Sequence, residues 1–176
     1  MRITISGPPG SGTTSLARYL AEKHNYQLIS AGEVFRSLAA ERGMDLGVFG
    51  RLAEQDPAVD KMIDARQKEI GEATDDIVIE GRLAGMMVDN ADLRIWVAAS
   101  IACRAVRIAD RDDLPLSEAE MLTEERERCE ALRYEKYYGI DINDLSVYDL
   151  VLSSEKWGRS ELGAIVDLAI TLMNRN

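Results

Sequence analysis

The sequence predicts an α/β fold in three layers, a five-stranded parallel sheet with helices on both faces. Three observations predict it. Five short, mostly apolar runs of strand length are spread along the 176 residues, with helical periodicity between them. The first run, RITIS, ends in a glycine-rich loop that leads directly into a helical pattern. Between the second and third runs only helical patterns occur, which interrupts the alternation as an inserted helical lobe would.

Taken in order, Ile3 and Ile5 mark a buried parallel strand that ends at Gly7. A helix starts near Gly12, with Leu16, Tyr19, Leu20 and Lys23 at helical spacing. YQLIS, Tyr26 to Ser30, is the second strand. Ser30 and Glu33 then have capping-box spacing and open a helix to about Arg42. Gly43, Gly47 and Gly50 break up the next stretch of chain. Asp56-Pro57 is a helix start, with Asp as cap and Pro at the first helical position, and Val59, Met62, Ile63, Arg66 and Ile70 continue it.

DDIVIEG, Asp75 to Gly81, and LRIWVAA, Leu93 to Ala99, are strands three and four. A helix follows from Ser100 or Ile101 to Arg111. Ser117 and Glu120 have capping-box spacing and begin a long charged helix to about Tyr137. YDLVLSS, Tyr148 to Ser154, is the fifth strand. The last helix places Leu162, Ile165, Val166, Ala169, Leu172 and Met173 on one face. The whole chain, 1–176, reads as one domain without repeats or linkers.

Composition narrows the function. A net charge of −10 argues against a protein that coats nucleic acid or an anionic membrane. No signal pattern and no membrane-length apolar run occurs, so the expected location is the cytoplasm. Cys103 and Cys129 lack metal-ligand spacing and are expected to be buried or inert thiols. The one histidine, His24, lies at a helix end, where a surface or capping role is expected. A histidine metal cluster is excluded by that count, and no convincing Ser-His-Asp arrangement surrounds the lone His24.

Chemistry concentrates where the predicted strands end, the edge at which parallel sheets bind ligands. GPPGSGTT, Gly7 to Thr14, has the spacing of a phosphate-binding loop, G-x-x-x-x-G-K-[ST], except that Thr13 stands where Lys is usual. Its glycines permit close approach, successive N–H groups can face a phosphate at the helix start, and Thr14 is placed for a magnesium ion. The missing ammonium charge requires another cation. Arg18, one turn inside the helix, is expected to point away from the phosphate end.

Arginines elsewhere are the better candidates. Arg104, Arg107 and Arg111 share a helical face, as do Arg126 and Arg133. Seen alone, these are solvated faces paired with nearby acids such as Asp110, Asp112, Glu127 and Glu130. Arg36 and Arg82 follow the second and third strands and can reach phosphates there. Glu80, at a strand end, can hold magnesium through water. Asp60, Asp64 and Arg66 can read the edge of a base, or be a solvated face.

Together these residues resemble a nucleoside monophosphate kinase of the P-loop kinases, most closely the archaeal type of cytidylate kinase. The similarity covers essentially the whole chain and is carried by ITISGPPGSGTTSLA, ISAGEVFR, LAEQDPAVDKMIDARQ, VIEGRLAG, RAVRIADRD and ERERCEALRYEKYYGIDINDLSVYDLVLSS with the following Lys156-Trp157. The resemblance implies a three-layer P-loop kinase fold with a helical monophosphate-binding lobe at residues 31–66 and a lid at residues 104–137. It implies ATP as phosphoryl donor, Mg2+, and CMP or dCMP as acceptor. The alternatives are another nucleoside monophosphate, a small-molecule alcohol, or, given Thr13, an ATP-binding protein without catalysis. Nucleotides are the implied partners, and the implied state is a monomer.

By the same resemblance, ATP would sit on Gly7, Pro8, Pro9, Gly10, Ser11, Gly12, Thr13, Thr14 and Ser15, with Arg107 stacked on adenine and Lys156 also at the nucleotide. Ser30, Arg36, Asp60, Asp64, Arg66, Gly81 and Arg82 would hold the acceptor. Arg82, Arg111, Arg126 and Arg133 would stabilise the transferred group, and Thr14 and Glu80 the metal. The family's usual loop Lys is Thr13 here. Lid closure is expected to bring Arg111, Arg126 or Arg133 into the vacant charge position.

Overall fold

A computed structural model describes residues 1–45, 48–49, 52–53 and 56–173. Five strands form one parallel sheet in the order β2-β3-β1-β4-β5. They are β1 (Arg2–Ser6), β2 (Gln27–Ser30), β3 (Ile77–Glu80), β4 (Leu93–Ala98) and β5 (Leu150–Ser153). The helices are α1 (Thr13–His24), α2 (Ala31–Glu41), α3 (Pro57–Ala73), α4 (Ala84–Met87), α5 (Ile101–Asp112), α6 (Leu116–Tyr138) and α7 (Arg159–Met173). Every predicted strand is present. The short helix α4 is an addition, and Gly47 and Gly50 lie outside the described residues.

The strands form because both sheet faces are covered. Ile3, Ile5, Val78, Ile95 and Val97 pack with Leu16 and Leu20 of α1 and with Leu162, Val166 and Ile170 of α7. Each such side chain contributes roughly 1.5–3 kcal/mol on burial. Other clusters gather Ile77 and Ile79 with Ala84 and Val88, and Trp96 with Leu83, Tyr134 and Tyr148. Helices α2 and α3 share a separate small core of Val34, Ala39, Phe49, Val59 and Ile63. The inserted helical segment therefore has apolar packing of its own.

Two helix expectations are corrected. Helix α6 begins at Leu116 behind Pro115, whose carbonyl accepts from Glu118 and Ala119, so Ser117 lies inside the helix and caps nothing. On α7 the buried face is Leu162, Gly163, Val166 and Ile170, while Leu172 and Met173 are exposed. Gly163 lets the Tyr19 ring seat against the backbone, which rotates the buried stripe toward it. The Ser30–Glu33 capping box and the Asp56 cap with Pro57 at the helix start are both as expected. His24 ties the end of α1 to Asp167 of α7 at 2.7 Å. Cys103 is half-buried, but Cys129 is exposed, a correction. A hydrogen bond to Glu125 pushes its thiol pKa up, so it is poorly ionised. No helix among the described residues is long and apolar enough to cross a membrane.

The order β2-β3-β1-β4-β5 puts the first strand in the middle. The chain leaves β1 toward β2 and β3, and then crosses to β4 on the other side. The crevice beyond the C-terminal ends of β1 and β3 is where such sheets bind ligands.

Candidate active site

Residues 7–14 fill that crevice from the end of β1. A Cβ on Gly7 would collide with the Val97 carbonyl oxygen, so only glycine lets the loop leave the sheet this closely. Gly10 and Gly12 adopt left-handed φ values of 81° and 96°. Gly12 stands at the N-terminus of α1 with no side-chain cap, and no acidic residue occupies the first turn. The open N–H groups and the positive end of the helix dipole are therefore left for an external anion.

Two arginines of α5 hold the loop from behind. Arg104 is 2% exposed and donates to Ala99 O at 3.1 Å, Pro9 O at 3.4 Å and Glu127 at 2.6 Å. Arg107 donates from Nη1 to Gly10 O at 3.2 Å and to Ser154 Oγ at 2.9 Å, and from Nη2 to Ser154 O at 2.8 Å. The edges of the Arg107 guanidinium are thus committed to the loop and to Ser154, just past β5, and contact with a base would use its flat face.

Two adjoining clefts open in front of the loop. The first, about 410 Å³, is lined by Gly7 to Gly10, Thr13, Thr14, Arg18, Ser30, Arg36, Glu80 to Arg82, Arg111, Arg126 and Glu130. The second, about 290 Å³, is lined by Phe35, Asp60, Ile63, Asp64, Arg82, Arg126, Glu130, Arg133 and Tyr134. Arg82, Arg126 and Glu130 belong to both. The first cleft is cationic beside the loop. The second ends in carboxylates.

Neighbours position those carboxylates. Thr13 Oγ1 donates to Glu80 Oε1 at 2.7 Å. Burial raises the Glu80 pKa, with the Thr13 and Thr14 hydroxyls pulling the other way. Asp60 meets Arg133 Nη1 at 3.0 Å, and burial raises its pKa despite that cation. Asp64 accepts from Tyr138 Oη at 2.7 Å, and burial lifts its pKa from 3.8 to about 6. Thr14 and Glu80 offer only oxygen donors, the type a hard divalent cation takes. No group of three or more His, Cys, Asp or Glu that could hold a metal occurs among the described residues. The donor set fits Mg2+ only when phosphate oxygens complete it.

The fold brings most of the expected residues together, and some stand apart. Arg66 pairs with Glu69 at 3.1 Å and lines a different groove, between α2 and α3. Ser15 and Lys156 are exposed and line neither cleft. Arg133 lines the second cleft alone, so among the three lid candidates only Arg111 and Arg126 reach the loop's cleft. Arg111 pairs with Asp112 at 2.7 Å.

The expectation for Arg18 is corrected, because it lines the loop's cleft and acts electrostatically on Glu80. Helical side chains lean toward the N-terminus, so a residue in the second turn covers the first. That rule was available from sequence. Arg104 and Glu130 are further site residues without a motif signal. Glu130 sits in a run of charge and Arg104 is one of three arginines on its helix face, and only their burial distinguishes them.

Comparison with known proteins identifies the family and the fold. Residues 2–156 match the cytidylate kinase-like family. The cytidylate kinase of Methanoculleus marisnigri is 67% identical over 175 residues, covering 99% of this chain and 97% of that one. The cytidylate kinase of Methanoregula boonei is 60% identical over 176 residues, with the same coverage of each. Among solved structures, a shikimate kinase from Acinetobacter baumannii in complex with shikimate superposes with a TM-score of 0.64 at 13% identity, covering 98% of this chain and 93% of that one. At that identity the superposition speaks for the fold alone.

Proposed function

The chain belongs to the cytidylate kinase-like family, and from that membership we propose that it transfers the γ-phosphoryl group of ATP to CMP, and to dCMP, giving ADP and CDP or dCDP. One observation carries the reading. A glycine loop with open N–H groups faces one cleft, paired aspartates close the next, and two arginines stand in the wall between them.

ATP phosphates take the loop and the start of α1. The acceptor phosphate takes Arg36 and Arg82, and its base reaches Asp60 and Asp64. A carboxylate there accepts from an exocyclic amine, as on cytosine, and repels the carbonyl that uracil carries instead. The 31–66 segment serves as the acceptor lobe and the 104–137 segment as the lid. An anionic oxygen of the acceptor phosphate attacks the γ phosphorus, and the bond to the β-bridging oxygen breaks. The nucleophile is already ionised, so no protein base is needed, and catalysis is positioning plus charge. Thr14 and Glu80 would hold Mg2+, which would supply charge neutralisation to the phosphates. Arg18, Arg111 and Arg126 line the loop's cleft and supply the cationic charge that Thr13 does not. The enzyme needs neither nucleic acid nor membrane, and we assign it as a cytoplasmic monomer.

The test is ADP release with ATP and a panel of CMP, dCMP, UMP, AMP and shikimate, with and without Mg2+. CMP and dCMP are expected to exceed UMP in kcat/KM by roughly a hundredfold or more, since the uracil carbonyl sets an acceptor against the carboxylates where cytosine brings a donor. Preference for another acceptor overturns the specificity. ATP binding without turnover on any acceptor overturns the enzyme.

A further inference from the structure

Glu130 is 4% exposed, on a helix otherwise rich in surface charge. Its Oε2 accepts from Arg82 Nε at 2.9 Å and its Oε1 from Arg126 Nε at 2.8 Å. One carboxylate thus bridges an arginine following β3 to an arginine of α6. All three residues stand in the wall between the two clefts.

Both bonds use Nε. A guanidinium held at Nε keeps its Nη1/Nη2 fork free, and the fork is the edge that grips a phosphate. Arg82 shows this most clearly. Its plane lies over Trp96, with Cζ 5.5 Å from the ring centroid, and its Nη1 is buried without a hydrogen-bond partner. A buried donor without a partner is costly, so it points to an acceptor that a ligand brings. Without the bridge, two like charges in one wall would repel each other.

Building on the proposed phosphoryl transfer, we propose that Glu130 is a positioning residue that holds Arg82 and Arg126 as a matched pair, with both forks aimed at the group that passes between the clefts. It touches neither nucleotide and acts through the two arginines. A fastening role alone, joining α6 to the sheet, predicts different behaviour.

The experiment compares Glu130→Gln, Arg126→Ala and the double variant. Gln is nearly isosteric and keeps one acceptor oxygen, but turns the other into a donor facing a guanidinium. We expect Glu130→Gln to lower kcat roughly ten- to a hundredfold, the scale of lost transition-state positioning. The KM for either nucleotide should rise no more than about threefold, because removing the anion does not weaken ground-state attraction for phosphates. The double variant should fall no further than the worse single one, as for residues acting as a unit. Unchanged kcat, or losses that multiply, overturns the proposal. So does a loss confined to KM and thermal stability.

A second readout is independent of turnover. Saturating inorganic pyrophosphate should shift the Nε–H resonances of both Arg82 and Arg126 in the wild type, and in Glu130→Gln the shift of at least one of them should shrink severalfold. Full-sized shifts of both resonances in the variant overturn the pairing. If the wild-type protein phosphorylates nothing yet shows this contrast, the transfer reading has failed and the Glu130 assignment stands.

Discussion

The hydroxyl of Thr13, in the place where a phosphate-binding loop usually carries Lys, donates to Glu80 Oε1 at 2.7 Å. The residue that would have been a cation is instead a neutral donor tied to the acid at the end of β3. The loop's positive field therefore comes from the α1 N-terminus and from arginines on other elements.

Thr13→Lys tests that arrangement. An isolated loss of such a donor would cost about 3 kcal/mol of transition-state stabilisation, or roughly a hundredfold in rate. With Arg18, Arg111 and Arg126 already lining the cleft, the substitution is expected to change kcat by less than about tenfold. Arg18→Ala, by contrast, should lower kcat/KM for ATP in the wild-type background and much less in Thr13→Lys. Steady-state kinetics of the four proteins decides it. A gain of a hundredfold from Thr13→Lys alone would mean that the arginines do not replace the ammonium group.

Arg104 lies almost wholly inside the protein and joins Pro9, Ala99 and Glu127. Arg104→Leu keeps apolar bulk but removes every donor and leaves Glu127 unmatched. Loss of one partner of a largely buried pair costs about 3–5 kcal/mol, less here because Glu127 is partly solvated. Urea unfolding should show a lowered midpoint with an unchanged slope. ATP binding should weaken as well, because the loop loses its brace.

Gly7→Ala should be severe. The added Cβ meets the backbone oxygen of Val97, which cannot turn aside as a side chain can. Overpacking against backbone costs about 1–3 kcal/mol or more. The strain falls on the loop, so nucleotide affinity should drop further than that of Gly43→Ala, whose site is open though its φ is 62°. Calorimetric titration with ATP and thermal unfolding of both variants check this.

Asp64 makes the protein pH-sensitive. Its folded pKa of about 6 lies above the usual 3.8, chiefly because burial disfavours the charged form. A raised carboxyl pKa means that the folded state binds the proton more tightly than the unfolded chain. Its stabilising contribution is complete below pH 3.8 and is lost as pH rises through about 6. The full swing is at most about 3 kcal/mol, reduced where solvent reaches the group. Asp64→Asn should flatten this stretch of the stability–pH curve. In activity the direction reverses. The KM for CMP should fall as pH rises through 6, because only the carboxylate accepts freely from an amine, and Asp64→Asn should weaken the trend to the part set by the acceptor phosphate's own ionisation near pH ~6.

The elements were legible wherever the signal is local. Alternating helix and strand patterns, the Ser30–Glu33 box and the Asp56-Pro57 start depend on neighbours in the chain, and each appears where expected. The Ser117–Glu120 spacing failed because Pro115 already starts the helix two residues earlier. At the site, the loop and Glu80 were visible as motif and strand end. The alternatives for Arg104, Arg126 and Glu130 were surface charge on mixed-charge helices, and nothing local separates a surface ion pair from a buried one.

The sequence by itself determined the strand and helix inventory, the parallel sheet and the position of the phosphate loop, because periodicity and glycine chemistry act over a few residues. Tertiary structure alone decided which charges became a site. Packing α6 against Leu83, Trp96 and Tyr148 puts Glu130, 48 residues from Arg82 in the chain, 2.9 Å from it in space, and packing α5 behind the loop buries Arg104. Desolvation and charge pairing depend on what surrounds a group in three dimensions, and the order of residues along the chain does not record that.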